Sequence, residues 1–415
     1  MRSMTGHDHE PPRGDRAWRG PTREPASMRS PRNRVSDTGV GLETMMSTHH
    51  SSTVGARPVM PRRGHAGVVP WVLVDVTEDS GAVQVLAEGT RPRDYCRLGR
   101  TRICGNGAVE TQITETVTAC ARHGEPQART MWMPNGTRRR CVTAPVLGPD
   151  NTVHAVQLWA GPAALQPPPR PTIATLTWDP VTGVARTTGV LEKLIEGAYS
   201  SGGVRTMPDL MRHFARFDDR VGLLALFGDH PEATTWSGCA ESTGAGSGAR
   251  RQIRIVARRC GQGRESVIRA VAHDITASTP VTDPALPELL LRRMPVTAHH
   301  AIAVVDLRTN LLHEWIVPGQ GSLARWVGER AHLHPEDRLV IADARHEMTT
   351  GNGHCRNHFR IRFDDSAWLH LDASWTGFAV GSSPQVMLDI TAQDPAATVT
   401  HPAADASSSS QGESR

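Results

Sequence analysis

The chain has 415 residues and 38% apolar content, enough for about two to four small cores, and its formal charge of +4 is concentrated at one end. Residues 1–64 hold eleven Arg against six Asp or Glu, so residues 65–415 are close to neutral and lack the basic footprint that phosphate neutralisation requires. No run of about 18 apolar residues exists to span a bilayer, and the N-terminus lacks the basic-then-apolar order of a secretory signal. A cytoplasmic location is therefore expected, and seven cysteines with neither a disulfide framework nor a Cys-x-x-Cys pair agree with a reducing compartment.

Residues 1–64 are rich in Pro, Arg, Ser, Gly and His without an apolar period and read as a disordered basic tail, with Met45, Met46 and Met60 as alternative starts. Block one, 66–162, opens with the strand Trp71–Val76, returns through Ala82–Leu86, and then shows Ile113, Val117 and Cys120 at helical spacing. Arg122, His123 and Gly124 close that helix, predicted over 110–123, and three further strands follow near 131–133, 140–146 and 153–159. A stiff linker, Gln166–Pro171, leads to block two.

Block two, 171–277, repeats the order: strands at 173–178 and 184–188, then a helix with Pro208 at its start and Met207, Leu210, Met211 and Phe214 as its apolar stripe. Strands are expected at 221–227, 250–259 and 266–275. After a Pro-punctuated stretch from Ser278 to Pro295 comes block three, 298–392, where Leu311, His313, Trp315 and Val317 are assigned to one strand face. A helix begins at Pro335 and runs to about Met348, and strands at 356–363, 367–375 and 385–390 complete an antiparallel sheet; residues 394–415 read as a disordered tail.

Blocks two and three also end alike. Val271-Ala-His-Asp274-Ile-Thr-Ala277 returns 115 residues later as Val386-Met-Leu-Asp389-Ile-Thr-Ala392, which implies tandem domains. His334-Pro-Glu-Asp-Arg338, Phe359–Trp368 and Leu388-Asp-Ile-Thr391 closely resemble PAS sensor domains. With Pro70-Trp-Val-Leu-Val74 opening the first block, residues 66–392 resemble the actinobacterial triple-sensor family described as PAS-GAF-PAS. The resemblance implies an α+β fold of three tandem PAS/GAF-like domains, each an antiparallel sheet with helices covering one face; block two fits either label. It also implies cups suited to a small ligand and no output module of its own.

Enzyme signatures fail in turn. The only Lys, Lys193, lies between Glu192 and Leu194, so a phosphate-binding Gly-x-x-x-x-Gly-Lys loop is excluded, and no Gly-x-Ser-x-Gly or His-Glu-x-x-His occurs. His354, Cys355 and His358 enter a strand that would hold the two histidines roughly 13 Å apart, too far for one ion with bonds of about 2 Å. His213, placed on a helix, resembles the helical axial histidine of haem-holding PAS-like domains, although a helical His more often lies at a core edge or in solvent. Flavin and cyclic-nucleotide signatures are missing, and the cofactor stays unassigned.

The ligand-pocket candidates are Trp315, Trp326, His313 and Leu371 in block three and Met211, Phe214 and Trp236 in block two; aromatic residues at such spacing equally serve as core. The expected protein is a non-catalytic signalling chain that receives a small molecule or docks a protein, or whose cups are filled by side chains and serve only to form a homodimer. Two rivals stand beside it. One is a hydrolase or transferase of unrecognised type using His273 and Asp274, which strand alternation sets on opposite faces. The other is a nucleic-acid binder acting through the Arg-rich tail.

Overall fold

The computed structural model describes residues 69–393 except 78–82, 102, 105–106, 134, 197–200, 229–230, 244–248, 284–289, 291–294, 296–297, 352, 365 and 381–382, so both predicted tails lie outside the described residues. The first sheet contains β1 (Val72–Asp75), β2 (Gln84–Glu88), β3 (Arg91–Arg97), β4 (Gln127–Trp132), β5 (Arg138–Leu147) and β6 (Val153–Pro162) in the order β3-β2-β1-β6-β5-β4. Helix α1 (Gly107–His123) lays Val109, Ile113, Val117 and Cys120 on one face of this sheet. It stops where expected, because Gly124 takes φ +68 and returns its N–H to the Cys120 carbonyl.

The second sheet is built from β7 (Ile173–Trp178), β8 (Ala185–Thr187), β9 (Val204–Arg205), β10 (Phe214–Phe217), β11 (Thr235–Ser242), β12 (Gln252–Cys260) and β13 (Val267–Asp274), ordered β10-β11-β12-β13-β7-β8-β9. Its helices are α2 (Gly189–Glu196), α3 (Met207–Met211) and α4 (Arg220–Leu224). The third sheet orders β14 (His300–Asp306), β15 (Leu311–Val317), β16 (His332–Leu333), β17 (His354–Arg362), β18 (Leu369–Val380) and β19 (Ser383–Ala392) as β15-β14-β19-β18-β17-β16, with α5 (Arg325–Gly328) and α6 (Arg338–Thr350). All pairings are antiparallel, and the described residues form an α+β fold.

One plan underlies all three sheets. The first strand lies between the second and the last, and the last is followed outward by the two strands that precede it. An aspartate at or just after the end of each first strand accepts a backbone N–H two residues on: Thr77 N to Asp75 at 3.0 Å, Val181 N to Asp179 at 2.8 Å, and Arg308 N to Asp306 at 3.0 Å. These Asx turns redirect the chain into the second strand.

Three local expectations are corrected. Residues 221–227 do not form a strand: Asp219 caps α4 by accepting from Gly222 N, and Leu223, Leu224, Leu226 and Phe227 bury in the second core. Helix α3 ends at Met211, so Phe214 belongs to β10 and His213 lies beyond the helix. In β15, two irregularities set Leu312 opposite Val305 and Trp315 opposite Ala303, while Leu311 opposes Asp306 and Val317 opposes Ile302. Each extra residue flips the faces that follow, so Leu311, His313, Trp315 and Val317 do not share one side.

The first and second sheets pack back to back through their helix-free faces. Leu73, Leu86, Ala87, Val146 and Ala155 meet Val256 and Val271, while the neighbouring residues Val72, Val74 and Val156 face α1. Burial on both faces explains why every residue from His154 to Gly161 is buried. Polar groups tie the seam: Arg258 to Asp75 at 2.9 Å, Tyr95 Oη to the Ala257 carbonyl at 3.1 Å, and Thr175 Oγ1 to the Leu147 carbonyl at 2.8 Å. The proline linker is held as well, since Trp71 Nε1 donates to Pro168 O and Gln157 Nε2 to Pro171 O. On the third sheet, the equivalent face carries His354, Arg356 and His358 from β17, all exposed, in place of an apolar layer.

Candidate functional site

The cups hold their own side chains. In the second, Met211, Phe214 and Trp236 are all buried, with Phe217 stacked on Trp236 at 5.6 Å and edge-on to Phe214 at 5.5 Å. Trp236 Nε1 is committed to Asp219 Oδ2 at 2.9 Å. In the third, Leu371 belongs to the core, and Trp315 and Trp326 pack against it with their rings edge-on at 5.5 Å. His313 does not join them. It is 5% exposed, contacts Gln385 Oε1 through Nε2 at 3.0 Å, and lies beside Leu311, whose side chain packs into the second core. Burial first, then the nearby Arg220, pulls its pKa down to about 4.

Of the predicted residues, His313 lies near the junction between the second and third sheets, beside Arg220. Arg220 pairs with Glu314, Thr206 Oγ1 donates to the Val327 carbonyl at 2.5 Å, and Gly183 at φ +68 brings the second block so close that an added Cβ would lie 3.1 Å from Leu311 Cδ2. Beside these contacts opens a groove of about 650 Å³. Leu224 and Phe227, both buried, contribute from the second block, and Arg308, Asn310 and Arg345 from the third. A second depression of about 390 Å³ shares Asn310 and Arg345 and continues along α6 past Ile341 and His346. By contrast, the space between the first two sheets is closed to about 10 Å³, and the recess on the outer side of α1 is lined by that helix alone.

Arg308 is held from two sides of the groove. Within its own block, Nη2 lies 3.4 Å from the fully buried Asp306 carboxylate; across the junction, Nη1 pairs with Glu232 at 2.6 Å, whose side chain is 62% exposed. Arg345 Nη2 donates to the Arg308 carbonyl at 3.3 Å, and Arg345 has no carboxylate partner among the described residues. A second ionic group, Arg205 with Glu192, Glu196 and Asp209, pins α2, β9 and α3 together inside the second block. Burial would raise the Glu192 pKa, but bonds from Arg205 and Thr187 hold it low. His213 lies against this group, 3.2 Å from Arg205 Nη1, and burial lowers its pKa.

Groups considered for catalysis or metal binding are set apart. His273 is buried with a pKa pushed by burial to about 4, whereas Asp274 accepts from Thr276 N and Oγ1, so the two do not act on a common point. His354 contacts Ser374 Oγ at 3.0 Å and His358 pairs with Asp372, both on the open face of the third sheet. Among the described residues no group of three or more His, Cys, Asp or Glu is placed to hold a metal ion, and no helix is long and apolar enough to cross a membrane. All seven cysteines are free, and burial pushes the Cys104 and Cys141 thiols up to about 11 and about 12.

No curated protein matches the chain. Two solved structures, an RNA-binding light-oxygen-voltage receptor (12% identity, 53% of this chain and 95% of that chain, TM-score 0.21) and a methyl-accepting chemotaxis protein X (10%, 54% and 75%, 0.18), bear likenesses too slight to carry the fold. A crystal structure of an uncharacterized protein from Mycobacterium tuberculosis is similar at 22% identity over 79% of this chain and 97% of that chain, with a TM-score of 0.60, so the fold recurs across most of the molecule. Residues 70–169, the first sheet and the linker after it, match the family model described as Rv3651-like, N-terminal.

Proposed function

We propose that this protein is a non-catalytic cytoplasmic receiver built from three tandem PAS/GAF-like modules, and that a small molecule entering the groove between the second and third shifts how the third is held. The observation that carries this reading is the contrast between one closed, apolar junction and one open junction lined by guanidinium groups. Small-molecule sites favour such concave boundaries between modules, and a differential affinity of about 1–3 kcal/mol between two packings is enough to couple them.

The side-chain chemistry supports binding over turnover. Buried thiols with raised pKa are poor nucleophiles. The Ser374–His354 contact lies on an exposed strand face, where the backbone amides are committed to pairing with β17 and β19 and the imidazole has no carboxylate partner among the described residues. Free cysteines suit the reducing interior of the cell.

The test is a small-molecule thermal-shift screen of the full chain repeated on Ala225→Trp, which fills the groove from the wall that Ala225 lines. Compounds that raise the melting temperature of the wild type and leave Ala225→Trp unmoved support the reading. Compounds that stabilise both equally place the ligand elsewhere and refute it.

A further inference from the structure

Resting on the reading of the groove as the ligand site, we infer that its ligand carries an anionic group, phosphate or carboxylate, which seats against Arg345 and takes Arg308 from Glu232. The two arginines are unequal. Arg308 is oriented by the buried Asp306 and keeps one guanidinium edge for Glu232. Arg345 spends one N–H on the Arg308 carbonyl, and its remaining N–H groups have no acceptor among the described residues. Two guanidinium groups lining one groove, whose accessible apolar lining includes Val181 and Ala225, suit a compact molecule with an anionic head and a short apolar body.

Glu232 is the displaceable partner. It precedes β11 in the second block, so its 2.6 Å pair with Arg308 is a latch across the junction, and its side chain is 62% exposed. Ion pairs that open to water contribute little to stability, whereas an anion held by two guanidinium groups gains charge-assisted hydrogen bonds in a partly desolvated cleft. A bound anion therefore removes one tie between the second and third blocks and leaves Asp306 in place. This gives the proposed shift a structural cause: the ligand competes with an inter-block carboxylate for one arginine.

Protein-observed NMR on the full chain tests this with phenyl phosphate, benzoate and the neutral benzyl alcohol, read at the Gly228, Thr309 and Asn310 amides. Either anion gives saturable shifts, and the tighter of the two tells phosphate from carboxylate. Arg345→Gln weakens that binding about tenfold, and Arg345→Lys, which keeps the charge, falls between. Glu232→Gln removes the competitor and strengthens it severalfold, about the span expected for an exposed pair.

Benzyl alcohol acting as strongly as the anions, no anion shifting these amides, or Arg345→Gln binding unchanged in a protein with wild-type circular dichroism each overturns the anion inference. Affinity unaltered in Glu232→Gln overturns the displacement. Failure of the groove reading looks different: screening hits then ignore Ala225→Trp whatever their charge.

Discussion

The junction between the first and second sheets and the junction between the second and third are made of opposite materials. The first is an apolar layer of Leu73, Leu86, Val256 and Val271, locked at its rim by the buried Asp75–Arg258 pair. At the second, α3 lies against β15 with Leu311 as an apolar plug and Thr206 bonded to the Val327 carbonyl, and partly exposed pairs such as Arg220–Glu314 and Arg308–Glu232 flank a groove of about 650 Å³. Apolar layers resist rearrangement because any sliding exposes them, while exposed ion pairs exchange for water or ligand at little cost. The two junctions thus differ in what must break before their sheets can shift.

Substitutions can break this contrast, and the largest effect belongs in the seam. Val256→Asp buries an unpaired carboxylate between the first two sheets, at an expected cost of about 4 kcal/mol or more in urea unfolding. Acid comes next. His273 and His313 are held neutral with pKa near 4, against about 6.5 in the unfolded chain, so protons bind the unfolded state first. Stability from this source is complete above pH 6.5 and is lost as pH falls toward 4, on the order of 3 kcal/mol for each histidine. A urea midpoint that stays level from pH 6.5 to 4.5 would rule out their neutral burial.

Smaller substitutions sharpen the comparison further. Arg258→Ala leaves Asp75, whose side chain is 6% exposed, with its Thr77 hydrogen bonds but without a counter-charge, and is expected to cost about 3 kcal/mol. Arg220→Ala releases Glu314, 42% exposed, and is expected to cost less than about 1 kcal/mol by the same unfolding measurement. Equal losses at the two sites would erase the distinction between the junctions.

Much of this architecture was legible in the sequence where burial is one-sided. The helical spacing of Ile113, Val117 and Cys120 and the alternation of Leu369–Trp375 are legible because α1 and β18 each have one wet face, whereas the short or polar strands β3, β9, β10 and β16 are not among the strands the sequence predicts. The run Val221–Phe227 is apolar throughout, which a short buried helix and a strand share, and only the Asp219 cap separates them. Strand β11, Thr-Trp-Ser-Gly-Cys-Ala-Glu-Ser, is not legible in the sequence because its residues carry little apolar signal. The bulges of β15 leave no mark in composition, so the sequence alone places His313 in the cup instead of at the junction. The groove was illegible for a different reason: Glu232 and Arg308 lie 76 residues apart, and nothing local in either segment records the pair.

Native-state hydrogen exchange in rising urea tests the central claim most directly, by asking which strands open together. The account predicts that β6 and β13 share a single high-energy opening while β15 and α6 exchange through a separate, lower-energy one. A common opening of β13, β15 and α6, or a first sheet that opens before the third, would contradict it.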